Sequence, residues 1–107
     1  MSTDYAQDVR KYTSNCDEAC VAGLVRHLGI ALQNRDSALV SCSDEGERNR
    51  VRDSFLKKKL GRTEDDTTLD HAVMEVCEAM KDTRQKSRVT FYYLLAEKYG
   101  QLDQFRG

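Results

Sequence analysis

Residues 85–99 read QKSRVTFYYLLAEKY, and this stretch decides the architecture. At about 100° per residue, Val89, Phe91, Tyr92, Tyr93, Leu94, Leu95, Ala96 and Tyr99 cover most of a helix circumference and not a single stripe. A helix that is apolar on most sides must be packed on more than one of them. The stretch therefore predicts a central helix from about Gln85 to Tyr99, stopped by Gly100, with Leu102 and Phe105 folding back as a tail. The rest of the chain has to supply the cover.

That cover is written as amphipathic helices. Tyr5, Val9 and Tyr12 recur at helical spacing behind Thr3 as a cap, and Thr13-Ser14-Asn15 would end this first helix. A second runs from near Asp17 to Leu28, with Val21, Leu24, Val25 and Leu28 on one stripe and Gly29 as a left-handed terminator. Asp44 and Glu47 make a capping-box start for a third helix, which Gly61 ends. Thr67 and Asp70 do the same for a fourth, striped by Leu69, Val73, Val76, Cys77 and Met80. The segment IALQNRDSALVSCS, residues 30–43, is open between a helix extension, a helical turn at Ser37–Val40 and a buried extended run. Few β-branched residues make strand its minor reading. The sum is an all-α, compact single-domain bundle of about five helices over residues 1–107, with residues 1–3 and 106–107 frayed.

Composition agrees. Proline is absent and Leu outnumbers Ile ten to one, which favours helix. A net charge of −1 removes the self-repulsion that keeps chains unfolded. No apolar run approaches membrane-span length, and the N-terminal MSTDYAQDVRKY has no apolar core. Together with four cysteines read as reduced thiols, this points to the cytoplasm.

Motifs for chemistry are sparse. Cys16 and Cys20 lie one turn apart, but His27 would sit about 10 Å up the axis from Cys20, too far to share a zinc ion bound at about 2.0–2.3 Å. Cys20, Cys42 and Cys77 read as small buried hydrophobes and Cys16 as a half-exposed one. The pair Cys16 and Cys20 also lacks the spacing of thioredoxin-like sites. Ser54 and Lys57 match a Ser-x-x-Lys pattern without its partner motifs, and His27 and His71 have no acid/base partner at a readable spacing. No catalytic residue, metal or cofactor is indicated.

Charge layout is the remaining signal. Arg48 to Arg62 carries seven basic residues and one acid; Thr63 to Asp82 carries seven acids and one base. The two helices should pack as an antiparallel hairpin with opposite charges meeting across the seam. At α-helical pitch, with Val51 at zero, Phe55 falls at about 40°, Leu56 at about 140° and Leu60 at about 180°. Lys59 at about 80° and Arg52 at about 100° then point between apolar residues, whereas Lys57 and Lys58 face solvent. Arg52 and Lys59 either lay their stems on the core and reach acids next door, or, with Arg48 and Arg62, line an anion-binding groove. Lys86 and Arg88 beside FYYLL form a second basic patch of the kind that can bind single-stranded nucleic acid, although a slightly acidic protein argues against it.

The segments VRHLGIALQNRDSALVSCSD, VRDSFLKKKLG and KSRVTFYYLLAEKYG resemble a small bacterial family known only as a domain of unknown function. The resemblance spans about Tyr5 to Phe105 and implies a bacterial source and one compact domain. It carries no activity, catalytic residue or cofactor, and Cys16 and Cys20 fall outside its pattern. The expectation is a non-enzymatic cytoplasmic interaction module, binding another protein or a second copy of itself. The alternative is a binder of an anionic ligand or nucleic acid through Arg48, Arg52, Lys59 and Arg62, with Lys86 and Arg88.

Overall fold

The computed structural model describes residues 5–14 and 16–106; the Thr3 cap, Asn15 and most of the frayed ends lie outside them. The helices are α1 (Tyr5–Arg10), α2 (Glu18–Gln33), α3 (Arg35–Ala38), α4 (Glu45–Val51), α5 (Asp66–Ala79) and α6 (Arg88–Lys98). A π-helical segment, Arg52–Lys59, continues α4, and a 3₁₀ turn, Leu102–Phe105, closes the chain. Counting α4 and the π segment as one rod and setting aside the single turn α3, five rods build a compact, mainly α fold.

α6 is the hub. Every residue from Arg88 to Ala96 is buried, and α1, α2, α3, α5 and the 3₁₀ turn all pack on it. It begins at Arg88 and not at Gln85, because Lys86 and Ser87 form β2, paired antiparallel with β1, Leu39–Val40. Extended backbone at Ser87 (φ −61°, ψ 130°) cannot belong to the helix. The C-terminus follows expectation: Gly100 adopts φ 67°, and the Gln101 amide donates back to the Ala96 carbonyl at 2.8 Å. This is a Schellman closure, which glycine accommodates without a Cβ clash. Phe105 then folds back and is buried.

Three other boundaries differ from the sequence reading. α1 ends at Arg10, with turn bonds carrying the chain to Thr13. α2 does not stop at Gly29. Its backbone kinks there (φ 2°, ψ −80°) and continues to Gln33, so the glycine bends the helix where a left-handed terminator was expected. α5 starts at Asp66 because the Asp65 side chain, and not Thr67, accepts the Thr68 amide at 2.9 Å. The Asp44 cap of α4 stands, accepting from the Gly46 and Glu47 amides. Residues 30–43 divide among the readings: the helix runs on to Gln33, the helical turn lies at Arg35–Ala38 and not at Ser37–Val40, and Leu39–Val40 form the two-residue strand β1.

The π segment resolves the odd geometry of the third rod. Its ladder shows a five-residue step, the Leu60 amide donating to the Phe55 carbonyl at 2.8 Å. A wider turn advances each residue by only about 80°. Phe55 then falls at about −40°, Leu56 at about +40° and Leu60 back near 0°, with Arg52 and Lys59 flanking the stripe on opposite sides at about ±80°. Val51, Phe55, Leu56 and Leu60 are accordingly all buried, and Arg52 and Lys59 only partly so. Burying each large apolar side chain is worth about 1.5–3 kcal/mol, enough to offset a locally poorer backbone. Phe55 stacks on Tyr92 of α6 with ring centroids 4.0 Å apart, which pins this register. Gly61 (φ 68°) ends the segment as expected.

The cysteines depart from expectation most. Cys42, in the loop after β1, and Cys77 on α5 are joined as a disulfide across 35 residues and are not reduced thiols; Cys16 and Cys20 are free.

Candidate anion-binding sites

The third rod and α5 form the expected charge-compensated pair. Arg52 donates Nε to Asp53 and Nη1 to Asp70, each at 2.9 Å, and Nη1 also reaches Asn49 at 3.2 Å. Asp66 lies 3.9 Å from its Nη2. Asp53 and Asp70 push the Arg52 guanidinium further up, and Arg52 in turn holds the Asp53 carboxyl down. Lys57, expected to face solvent, instead bridges Asp66 at 2.5 Å and Asp53 at 3.5 Å, whereas Lys58 is exposed. Arg52 and Lys57 are thus spent inside the domain.

The other candidates are dispersed. Arg62 forks onto Glu64, with its Nη1 on Gln101 at 3.0 Å and its guanidinium 4.4 Å from the Tyr99 ring centroid. Arg48 donates to the Cys42 carbonyl. Arg88 is buried and makes four hydrogen bonds: to the Ser37 and Leu39 carbonyls, to Tyr92 Oη at 2.9 Å and to Glu47 Oε1 at 2.6 Å. It closes the base of a cleft of about 340 Å³ lined by Leu28, Ala31, Ser37, Glu47, Arg50 and Tyr92. Fully paired buried polar groups serve packing and register first. Lys86 holds the Thr83 carbonyl at 2.6 Å and faces a separate hollow. The six candidates therefore do not share one surface.

Lys59 behaves differently from Arg52. Its ammonium meets no carboxylate among the described residues and lies 5.4 Å from the Phe105 ring centroid. It shares an open pocket of about 370 Å³ with Arg26, His27, Gln104, Gly23 and Phe105. No acid lines this pocket, and Arg26 too has no ion pair among the described residues. Partial burial, then the nearby Lys59 charge, lowers the His27 pKa below its usual value. Two cations and a titratable imidazole thus surround one opening.

Gly23 shapes that opening. A Cβ on it would lie 1.8 Å from the Phe105 carbonyl oxygen, so only glycine lets the 3₁₀ turn press against α2 and present Phe105 and Gln104 beside Arg26 and His27. Sequence reading passed over Arg26 and Gln104, and weighed His27 only as a zinc ligand or an acid/base group. A glycine inside the apolar stripe of α2, one turn before Arg26 and His27, was the available signal, because interior helix glycine is costly unless something packs close.

A second basic hollow, about 660 Å³, is lined by Ser41, Cys42, Ser43, Arg84 and Lys86 beside the disulfide. Cys20, by contrast, is buried, donates to the Leu102 carbonyl, and has its thiol pushed up to about 11 by burial. No group of three or more His, Cys, Asp or Glu able to hold a metal ion forms among the described residues. No helix among them is long and apolar enough to cross a membrane.

Fold and surface together define a small, mainly α domain with an apolar core, one internally paired arginine cluster and two basic hollows. The chain belongs to the family described as "Protein of unknown function (DUF2853)", whose pattern matches residues 4–103. Among curated proteins, none matches the chain.

Proposed function

We propose that the protein is a non-enzymatic cytoplasmic binding module that docks an acidic segment of a partner protein in the pocket of Arg26, His27 and Lys59. The observation that carries this reading is the asymmetry of charge use. Arg52, Lys57, Arg62 and Arg88 are all paired with carboxylates of the same domain, whereas Arg26 and Lys59 share an opening lined by no acid. Desolvated or clustered cations are favourable only when a counter-charge arrives. Gln104 adds an amide that can donate to or accept from a bound carboxylate or peptide. Buried Arg88 commits its guanidinium to Ser37, Leu39, Tyr92 and Glu47 of the same domain, which supports a structural role for it and a binding role for the open pocket.

The test compares the wild type with Arg26→Glu/Lys59→Glu, both shown folded by circular dichroism. Wild type should retain a partner from source cells, release it to a poly-glutamate competitor, and the double variant should not retain it. Identical captures by both proteins, or turnover of a metabolite by the purified chain, would overturn the reading. A second reading, a nucleic acid, would use Arg26 and Lys59 as phosphate partners only, because the Phe105 ring beneath Lys59 is buried and leaves bases no face to stack on. Oligonucleotide binding that collapses as salt rises would select it over the acidic peptide.

A further inference from the structure

We infer that the hollow beside the Cys42–Cys77 disulfide is a docking site for an anionic low-molecular-weight thiol, which opens that disulfide by attack on Cys42. The disulfide belongs neither to the Arg26 and Lys59 pocket nor to the Arg88 cluster. Its two ends differ. Cys42 is half-buried on the loop between β1 and α4 and lines the hollow, whereas Cys77 is buried on the inner face of α5. Only the Cys42 end is therefore open to a nucleophile arriving from the hollow.

The lining suits an acid-bearing thiol. Arg84 is exposed and has no carboxylate partner among the described residues, and Lys86 reaches the hollow while its ammonium holds the Thr83 carbonyl. Ser41 and Ser43 are bonded to each other at 3.4 Å and leave further hydroxyl capacity for a carboxylate. Two acids next to the lining loop in sequence are engaged elsewhere. Asp44 accepts the Gly46 and Glu47 amides, and Glu47 is held by Arg88 and Arg50. A basic concavity concentrates anions and raises their encounter rate by about 10- to 1,000-fold, and the same field favours the attacking thiolate.

The chemistry balances with thiol as the sole reductant. A thiolate attacks Cys42 Sγ; the Cys42–Cys77 bond breaks as the new bond forms, and Cys77 leaves as a thiolate that takes up a proton. A second thiolate attacks the mixed disulfide, releasing the oxidised small thiol and the Cys42 thiolate. Two thiols are oxidised to one disulfide, and the protein disulfide is reduced to a dithiol. In the cytoplasm of the proposed function, on which this step rests, a disulfide is commonly a transient, exchanging one, and this one has an accessible end and a charged approach.

The experiment uses the oxidised protein in a Cys16→Ser background and three probes at matched thiolate concentration: glutathione, 2-mercaptoethanol and cysteamine. Mixed disulfides are trapped with acid and mapped by mass spectrometry. Glutathione should react at least about tenfold faster than cysteamine, with the adduct on Cys42, and Arg84→Glu/Lys86→Glu should reverse that order while circular dichroism stays unchanged. Equal rates for the three probes, an order untouched by the charge reversal, an adduct on Cys77, or three free thiols, those of Cys20, Cys42 and Cys77, in the Cys16→Ser protein purified without reductant would each overturn the proposal. Arg26 and Lys59 play no part here, so this proposal and the peptide-docking reading fail separately.

Discussion

Arg88 of α6 and Glu47 of α4 meet at 2.6 Å with their side chains only 7% and 11% exposed, so the hub helix is tied to the third rod by a nearly buried ion pair. Removing one partner of such a pair strands the other charge, at a cost of about 3–5 kcal/mol. Glu47→Ala should lose about that much in urea unfolding, and Glu47→Gln less, because its amide oxygen still accepts a hydrogen bond. The outward pair Arg52–Asp70, with Asp70 44% exposed, offers a contrast. Asp70→Asn should cost no more than about 1 kcal/mol.

Gly23→Ala should displace the C-terminal turn, because the backbone oxygen of Phe105 stands where the new methyl must go and cannot rotate away. Overpacking of this kind costs about 1–3 kcal/mol. Amide hydrogen exchange should rise selectively at residues 102–105, and the ring contact of Phe105 with His27, now 6.1 Å between centroids, should be lost in NMR spectra.

His27 should titrate below the ordinary histidine value of about 6.5, because burial disfavours its charged form and Lys59 adds repulsion. The unfolded chain then binds the proton more readily. The contribution of His27 to stability is fully present above pH about 6.5 and is lost as pH falls through the lowered folded-state value. NMR titration should show a partial rise in Lys59→Met, partial because burial is the larger cause. A bound anionic peptide should raise the value further by supplying the missing counter-charge.

Cys42→Ser/Cys77→Ser removes a cross-link spanning 35 residues. The chain-entropy argument puts that constraint at about 4 kcal/mol. The double variant, or the fully reduced wild type, should unfold at correspondingly lower denaturant, with the loss traced to freedom gained by the unfolded chain.

How much of this molecule could be read beforehand follows from the range of the forces involved. The central α6, the apolar stripe of α5, the Asp44 cap, the Gly61 and Gly100 stops and the charge inversion across Gly61 are statements about residues within one or two turns of each other. Periodicity and cap chemistry encode them directly, and the Arg52 and Lys57 bridges to α5 bear out the hairpin. The π register of Arg52–Lys59 lies beyond such reasoning. Local propensity prefers the α pitch, and the wider turn is selected only when four apolar side chains must face Tyr92 and its neighbours at once. The kink at Gly29, the Cys42–Cys77 bond and the division of cations into paired and unpaired depend on distances between residues far apart in the chain. Helical angles mark Arg52 and Lys59 alike as cations between apolar residues. Only packing placed acids against the first and the ring of Phe105 against the second, because burial and electrostatics act through space and not along the sequence.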